Sequence, residues 1–158
     1  MNNQQGTIYT KNQIDLTAGQ LNNQQGQVYS TGSATVIVQG DIQNQKGVLV
    51  AEQNLNVQSQ KLDNTEGTLR SEKADLTLNA QGQLINQQGD IYAGQNASLK
   101  TQNLVNTVGQ IASKNQLNID NHGEAIKGLK LRGIDQEAGS EESILEFRGH
   151  YSEIGWNA

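Results

Sequence analysis

A ten-residue phrase recurs along the chain and constrains its fold more than any other feature. "MNNQQGTIYT" begins at Met1, "LNNQQGQVYS" at Leu21 and "LINQQGDIYA" at Leu84. Each contains the motif Asn-x-x-Gly, and six copies of this motif follow one another along the chain at nearly equal intervals. This period of about 20 residues is typical of solenoids, in which each copy stacks on the next.

Apolar residues alternate with other residues inside each copy, as Leu21, Val28, Ala34 and Val36 do in the second one. Alternation with period two places successive side chains on opposite faces of a strand. Strands this short cannot bury their apolar faces alone, so we expect an all-β solenoid whose coils stack into parallel sheets. With coils about 4.8 Å apart, six coils would form a rod roughly 25–30 Å long.

The motif asparagine and glycine have separate predicted roles. The asparagine follows an inward leucine at an even spacing, so its amide should also face inward, where an unpaired group costs about 1–3 kcal/mol. A ladder of stacked amides would satisfy these groups and fix the register, and a surface turn residue is the alternative. The glycine lies at a corner, where we expect a positive φ. The ladder positions are Asn3, Asn23, Asn44, Asn64, Asn86 and Asn106, and the corner positions are Gly6, Gly26, Gly47, Gly67, Gly89 and Gly109.

Three tyrosines share one outward position in the repeat, namely Tyr9, Tyr29 and Tyr92. Aromatic side chains in a stripe can contact sugars or protein surfaces, which makes these residues candidates for surface contact. Three of the six copies lack the tyrosine, and Arg70 interrupts the stripe. Cross-strand packing on the outside of the sheet is therefore the favoured interpretation.

Composition excludes several classes of function. Asn and Gln make up about a quarter of the chain and hydrophobic residues only 34%, which alone would suggest disorder, but the regular spacing argues against it. The net charge of −5 gives no basic patch for nucleic acid. No apolar run is long enough to span a membrane, and the absence of cysteine excludes disulfides and thiolate metal sites. The N-terminus lacks the features of a signal peptide, so we expect this chain to carry none of its own.

Residues suited to catalysis are dispersed. The carboxylates fall at different positions of the repeat, and Glu66 and Arg70 are expected to form no more than a surface ion pair. The two histidines, His122 and His150, are far apart in the sequence and lack metal-ligand spacing. We therefore expect no enzyme activity, no metal and no cofactor.

The repeat resembles that of the filamentous haemagglutinins, the shafts of large exoproteins exported by two-partner secretion. The resemblance lies in "LDNTEGTLRSEKADLTL" (62–78), "LINQQGDIYAGQNASL" (84–99) and "LVNTVGQIASKNQLNI" (104–119), and it covers residues 1–119. It implies a right-handed parallel β-helix on the bacterial cell surface and an outer-membrane transporter as a partner. The family's secretion domain and the VENN tetrapeptide of many growth-inhibition proteins are missing from this sequence.

Composition changes after the last regular copy. Residues 120–158 are poor in amides and supply most of the net negative charge, and they contain the only phenylalanine and tryptophan. We expect a repeat region at 1–119, followed at 120–158 by a degenerate coil and then a cap or an irregular tail. A cap would shield the edge of the last coil.

Three functions follow as hypotheses. The favoured one is a structural shaft segment of a secreted adhesin or contact-dependent growth-inhibition exoprotein, which displays a distal binding or toxin module. The alternatives are a module that itself binds a surface glycan or protein, and, less favoured, a β-helical carbohydrate-active enzyme. Further partners would be a receptor on a host or neighbouring cell and, through open coil edges, other copies of the chain.

Overall fold

The fold was examined in a computed structural model that describes residues 1–121 and the segments 129–132, 145–148 and 154–157. Its strands are β1 (Thr7–Thr10), β2 (Ile14–Ala18), β3 (Leu21–Asn22), β4 (Gln27–Ser30), β5 (Ala34–Val38), β6 (Ile42–Gln43), β7 (Val48–Ala51), β8 (Leu55–Asp63), β9 (Thr68–Ser71), β10 (Leu76–Ile85), β11 (Asp90–Ala93), β12 (Ala97–Val105), β13 (Gln110–Ser113), β14 (Leu117–Asn121), β15 (Leu129–Arg132), β16 (Leu145–Arg148) and β17 (Ile154–Asn157). Helices are absent from these residues.

The strands form two parallel sheets that run along the stack. The first sheet has the order β1-β4-β7-β9-β11-β13-β15-β17, and its strands up to β13 each follow an Asn-x-x-Gly turn. The second has the order β16-β14-β12-β10-β8-β5-β2, and the short strands β3 and β6 extend it through β8. The predicted all-β parallel solenoid of about six coils is confirmed. Below, coils 1 to 6 are residues 1–20, 21–41, 42–61, 62–83, 84–103 and 104–121.

Two features depart from a regular stack of short strands. In coils 3 to 5 the strand that ends one coil continues into the start of the next, so that β8, β10 and β12 are 9 or 10 residues long. The register shifts between Ala80 and Gln83, where coil 4 has an extra residue in a bulge. A second extra residue lies in the turn after Ser71. Together they account for the longest step of the repeat, from Gly67 to Gly89, because the strands on both sides keep their register.

The core is a set of apolar columns between the sheets. Corresponding positions pair directly from coil to coil, as Val28 does with Leu49 and Leu49 with Leu69, and these three side chains are at most 1% exposed. Each column therefore buries its members against the coils above and below. Since a one-residue slip would turn these side chains to solvent, the columns fix the register.

The segment after residue 121 continues the sheets wherever the structure describes it. Strand β16 pairs in parallel with β14, and β15 and β17 extend the first sheet beyond β13. The rest of the predicted cap or tail, including His122 and His150, lies outside the described residues. The proposed boundary at residue 119 stays a prediction.

One core position carries a hydroxyl without a partner. Ser59 is 2% exposed and pairs with Ala80 in the next coil, and its Oγ makes no hydrogen bond. We expect Ser59→Ala to raise the free energy of unfolding by about 1 kcal/mol, since burial of an unpaired hydroxyl is unfavourable. Ser71→Ala is the control, because the Ser71 Oγ donates to the Gln53 carbonyl at 2.6 Å and its loss should destabilise. Chemical denaturation measures both effects, and a destabilised Ser59→Ala variant would contradict the assignment.

Candidate functional site

The six motif asparagines form one column inside the stack. Asn3 is 8% exposed and the other five are 0% exposed. Each Nδ2 donates to the Oδ1 of the next asparagine along the chain, at 2.6 Å from Asn3 to Asn23 and at 2.7 Å at the four later steps. The acceptor is thus the neighbouring side-chain carbonyl, so the four amides from Asn23 to Asn86 both donate and accept along the column.

The same amides hold the turns together. Asn64 Nδ2 also donates to the Gly67 carbonyl in its own coil at 3.1 Å and to the Asp90 carbonyl of coil 5 at 3.4 Å. The Gly67 N–H in turn donates to the Asn64 carbonyl at 3.0 Å, which closes a β-turn. One buried side chain therefore ties its own corner to the corner of the next coil.

The column has a direction. The Nδ2 donors of the ladder asparagines point toward the C-terminal coils, and their Oδ1 acceptors point toward the N-terminal coils. At the first rung, no donor reaches the Asn3 Oδ1 within the described residues. The two ends of the stack therefore differ chemically.

The motif glycines lie at the corners, but the expected positive φ is wrong. None of the described glycines has a φ in the left-handed range. In the turn of coil 4, a Cβ on Gly67 would lie well under 3.0 Å from the Asn44 carbonyl and close to the Asn64 amide. The equivalent glycines of coils 2 to 6 meet the preceding coil in the same way. Glycine is needed here because the ladder leaves no room for a side chain.

The positive φ occurs one residue earlier, at the third position of each turn. The six residues are Gln5, Gln25, Lys46, Glu66, Gln88 and Val108, with φ between 53° and 58°. A positive φ at this position alone is the pattern of a type II turn, which favours glycine or asparagine there. None of the six residues is either, so every corner contains an unfavourable backbone conformation.

Val108 offers a direct test of that strain. It has a φ of 58° and its side chain is 63% exposed, so little burial would be lost on truncation. We expect Val108→Gly to stabilise the protein by about 1 kcal/mol, since a left-handed conformation costs a branched residue about 1–2 kcal/mol. The same change at Val48, in an extended strand, should destabilise by roughly 0.5–1 kcal/mol. Thermal denaturation distinguishes the signs, and a loss of stability in both variants would refute the account.

The tyrosine stripe begins with a stacked pair. The rings of Tyr9 and Tyr29 are 5.7 Å apart and inclined by 7°. The Tyr29 hydroxyl donates to Glu52 at 2.8 Å, and Lys73 donates to the other carboxylate oxygen at 2.6 Å. The hydrogen bonds from Lys73 and Tyr29 lower the pKa of Glu52, and the bond to Glu52 raises the pKa of the Tyr29 hydroxyl.

Arg70 continues the stripe instead of interrupting it. Its guanidinium lies over the Tyr92 ring at 4.8 Å, in the range of a cation–π interaction. Its carboxylate partners are Glu72 at 3.5 Å and Asp90 at 3.9 Å, whereas Glu66 pairs with Lys46 at 3.5 Å. The expected Glu66–Arg70 pair is therefore wrong. Burial raises the pKa of Asp90, against the opposite effect of Arg70.

These contacts occupy the aromatic faces. Tyr9 and Tyr29 face each other along the stack, and Arg70 covers one face of Tyr92. Val50, between Tyr29 and Arg70 in the register, is only 7% exposed although it points away from the core. Sugar binding usually requires an open ring face, and of the three tyrosines only Tyr9 is exposed, at 55% of its residue surface. The stripe therefore packs mainly against itself.

Side chains that could ligate a metal ion do not gather at one place in the described residues. These residues contain no group of three or more His, Asp or Glu that could bind a metal ion. One cavity of about 280 Å³ lies beside coils 1 to 3, and its single carboxylate belongs to Asp41. No helix in the same residues could span a membrane.

Repeated coils, a continuous core and a buried amide column define a stacked structural repeat protein. The chain matches the haemagglutinin repeat over residues 2–46, 44–88 and 82–124. It therefore belongs to the haemagglutinin-repeat family, whose members are structural repeats of secreted or surface exoproteins. Comparisons with curated proteins and with solved structures return no match.

Proposed function

We propose that this chain is a shaft segment of a large bacterial exoprotein of the adhesin or contact-dependent growth-inhibition type. It holds a distal binding or toxin module away from the cell that exports it. Its partners are an outer-membrane two-partner-secretion transporter and, through the distal module, a receptor on a host or neighbouring cell. Membership of the haemagglutinin-repeat family supports the assignment to an exoprotein. The regular stacking of the coils supports the role as a spacer.

The buried amide column is the observation that carries the proposal. A spacer has to transmit position along its length, so its coils must not slide or bend freely relative to one another. Five consecutive amide hydrogen bonds and the paired apolar columns lock each coil to the next. Partial sliding would leave buried amides unpaired, at about 1–3 kcal/mol for each group.

The outer surface supports a spacer more than a binding module. The aromatic rings of the tyrosine stripe are paired with each other or with neighbouring charged groups, as Tyr29 is with Glu52 and Arg70 with Tyr92. The absence of cysteine fits export without disulfide formation.

Coil duplication tests the shaft role. Insertion of a second copy of residues 42–61 should give a folded protein whose long axis is greater by about 4.8 Å, the spacing of adjacent strands. Small-angle X-ray scattering measures the length and circular dichroism the fold. As a control, duplication of residues 42–51 adds half a coil and should abolish cooperative unfolding, because it puts every later column out of register.

Binding measurements distinguish a spacer from a module that itself binds a surface ligand. A spacer should show no saturable binding to a glycan array or to intact cells. Saturable binding that is lost in a Tyr9→Ser variant, while the thermal unfolding of that variant stays close to the wild type, would overturn the spacer role in favour of a binding module.

A further inference from the structure

We infer that the outward side of the second sheet is a docking surface for a second copy of this chain, which lies beside the first with its stack reversed. This surface, the amide face, runs along the side of coils 1 to 5, so further coils would extend it. The inference goes beyond the shaft role, because a shaft that stays single is still a spacer. Its outward residues on β5, β8, β10 and β12 are Thr35, Ile37, Asn56, Gln58, Gln60, Thr77, Asn79, Gln81, Ser98, Lys100 and Gln102, and β2 adds Asp15 and Thr17.

Charge is depleted on the amide face. Across β5, β8, β10 and β12, Lys100 is the only charged residue at these outward positions. The outward side of the first sheet differs, since Arg70 pairs there with Glu72 and Asp90. Depletion of charge distinguishes the core of protein interfaces from the rest of a surface. Because the chain has a net charge of −5, two copies repel each other least when these neutral faces meet.

The side chains of the amide face keep free hydrogen-bonding capacity. Gln60 donates to Gln81 at 2.7 Å. The amides of Asn56, Gln58 and Asn79 make no hydrogen bond within the part of the chain that the structure describes. Side-chain amides pair readily with identical amides of another chain, as they do in stacked assemblies. A second amide face therefore supplies matching donors and acceptors.

The amide face has the size of a weak, reversible interface. Five strands about 4.8 Å apart, with about 3.3 Å per residue, give roughly 500 Å² for each copy. The total of about 1,000 Å² lies at the lower limit for a specific contact between proteins. Ile37, which is 40% exposed, adds an apolar side chain to the polar surface. We therefore expect single chains to associate at micromolar concentrations.

The charges at the two ends of the face determine how the copies are arranged. Asp15 lies in coil 1 and Lys100 in coil 5, and neither forms an ion pair within the described residues. A two-fold axis parallel to β8, between the two faces, reverses the stack and keeps the strand direction. It places Asp15 opposite Ser98 of the second copy, since these residues share one column of the register.

This arrangement is favoured by charge. Lys100 of the second copy is two residues along the strand from Ser98, about 6.6 Å away, so it lies near Asp15. Copies with the same stack direction would instead bring two Lys100 residues together, and likewise two Asp15 residues, which is unfavourable. Asp120, on β14, lies outside the overlap of coils 1 to 5. A contact around a two-fold axis closes on itself, so the product is a dimer.

Charge exchange at the two-fold axis tests the proposal. Gln58 of one copy lies opposite Gln58 of the other, because β8 is the central strand of the overlap. Sedimentation velocity of the wild type, from low to high micromolar concentration, should show a shift from monomer to a plateau at twice the monomer mass. Gln58→Lys and Gln58→Glu, each alone, should stay monomeric, because like charges meet at the axis. An equal mixture of the two variants should dimerise at least as strongly as the wild type.

Gln27→Lys is the matched control, since it adds the same charge at an exposed position of the first sheet. It should dimerise as the wild type does. The melting temperatures of all these variants should stay close to that of the wild type, because the changed side chains are exposed. If a Gln58 variant fails to fold, Asn56→Lys and Asn56→Glu replace the pair, because Asn56 lies on the same central strand.

The arrangement of the copies has its own test. Asp15→Lys should lower the dimer fraction, and its combination with Lys100→Asp should restore it. A dimer that Asp15→Lys leaves unchanged would overturn the reversed arrangement.

Four results of sedimentation would overturn the docking surface itself. They are a wild type that is monomeric at every concentration, a mass that rises without a plateau, a Gln58→Lys variant that dimerises alone, and a mixture that is not restored. A monomeric wild type that binds a neutral glycan, with the binding lost in Gln58→Lys, would make the amide face a glycan site instead.

Discussion

Gly67→Ala is expected to lower the free energy of unfolding by about 3 kcal/mol, at the upper end of the cost of overpacking. The added Cβ would collide with the Asn44 carbonyl of the preceding coil and with the Asn64 side chain of its own turn. The Asn44 carbonyl also accepts the Gly47 N–H, so it cannot move without opening a second turn. Chemical denaturation measures the loss.

Gly19→Ala is the matched control for Gly67→Ala. A Cβ on Gly19 would meet no atom within 4 Å, so its effect should stay within about 0.5 kcal/mol. Both changes alter the unfolded chain in the same way, and their difference isolates the steric contact. Similar stabilities for the two variants would mean that the corner tolerates a side chain.

Asn64→Ala is the second large effect, with an expected loss of about 3 kcal/mol from buried groups left without partners. The change removes the acceptor of Asn44 and the donor to Asn86, both at 2.7 Å. Asn56→Ala, at an exposed position of β8, should cost less than about 0.5 kcal/mol. Overlapping denaturation curves for the two variants would show that the amide column contributes little to stability.

Asn64→Asp tests the same hydrogen bonds through the pH dependence of the free energy of unfolding. An ionised carboxylate would be buried against the Asn86 Oδ1 and would have no proton to donate, whereas a neutral carboxyl group could donate one. Burial should therefore raise the folded-state pKa of Asp at this position above the unfolded value of about 3.9. For such a group, stability is fully present below the unfolded pKa and is lost as the pH rises through the folded pKa.

The difference in stability between wild type and Asn64→Asp should accordingly shrink as the pH falls toward 4 and widen toward neutrality. Thermal denaturation of both proteins across this range measures the difference and cancels the effects of acid on other groups. A constant difference would contradict a hydrogen-bonded role for the amide.

The fold could be predicted from the sequence because the same alternation of apolar with other residues recurs in six copies. One copy, such as Leu21 to Val36, is too short and too polar to distinguish a strand from a loop. Stacked copies can bury their apolar residues only against their own counterparts, so the repeat itself dictates parallel pairing. The even spacing between Leu21 and Asn23 likewise gives the direction of the asparagine side chain.

The reason why the corners require glycine could not be predicted in the same way. Glycine is the residue that most often adopts a positive φ, so the sequence pattern indicated Gly67 for that conformation. In the structure the positive φ belongs to Glu66. Only the position of the Asn44 carbonyl shows that Gly67 is needed for space. The role of Arg70 was hidden for a related reason, since its contact with Tyr92 depends on side-chain conformation and not on spacing.

The amide column also bears on how such a chain could assemble. Its hydrogen bonds join residues 20 to 22 positions apart at every step, however long the array becomes. Each new coil needs only the coil beside it, so folding can propagate from one end as successive stretches of chain become available. The loop that has to close stays the same size at each step, and its entropic cost does not grow with the length of the shaft. A very long all-β rod can therefore form by repeated addition of one coil, at a rate per coil that is independent of its final length.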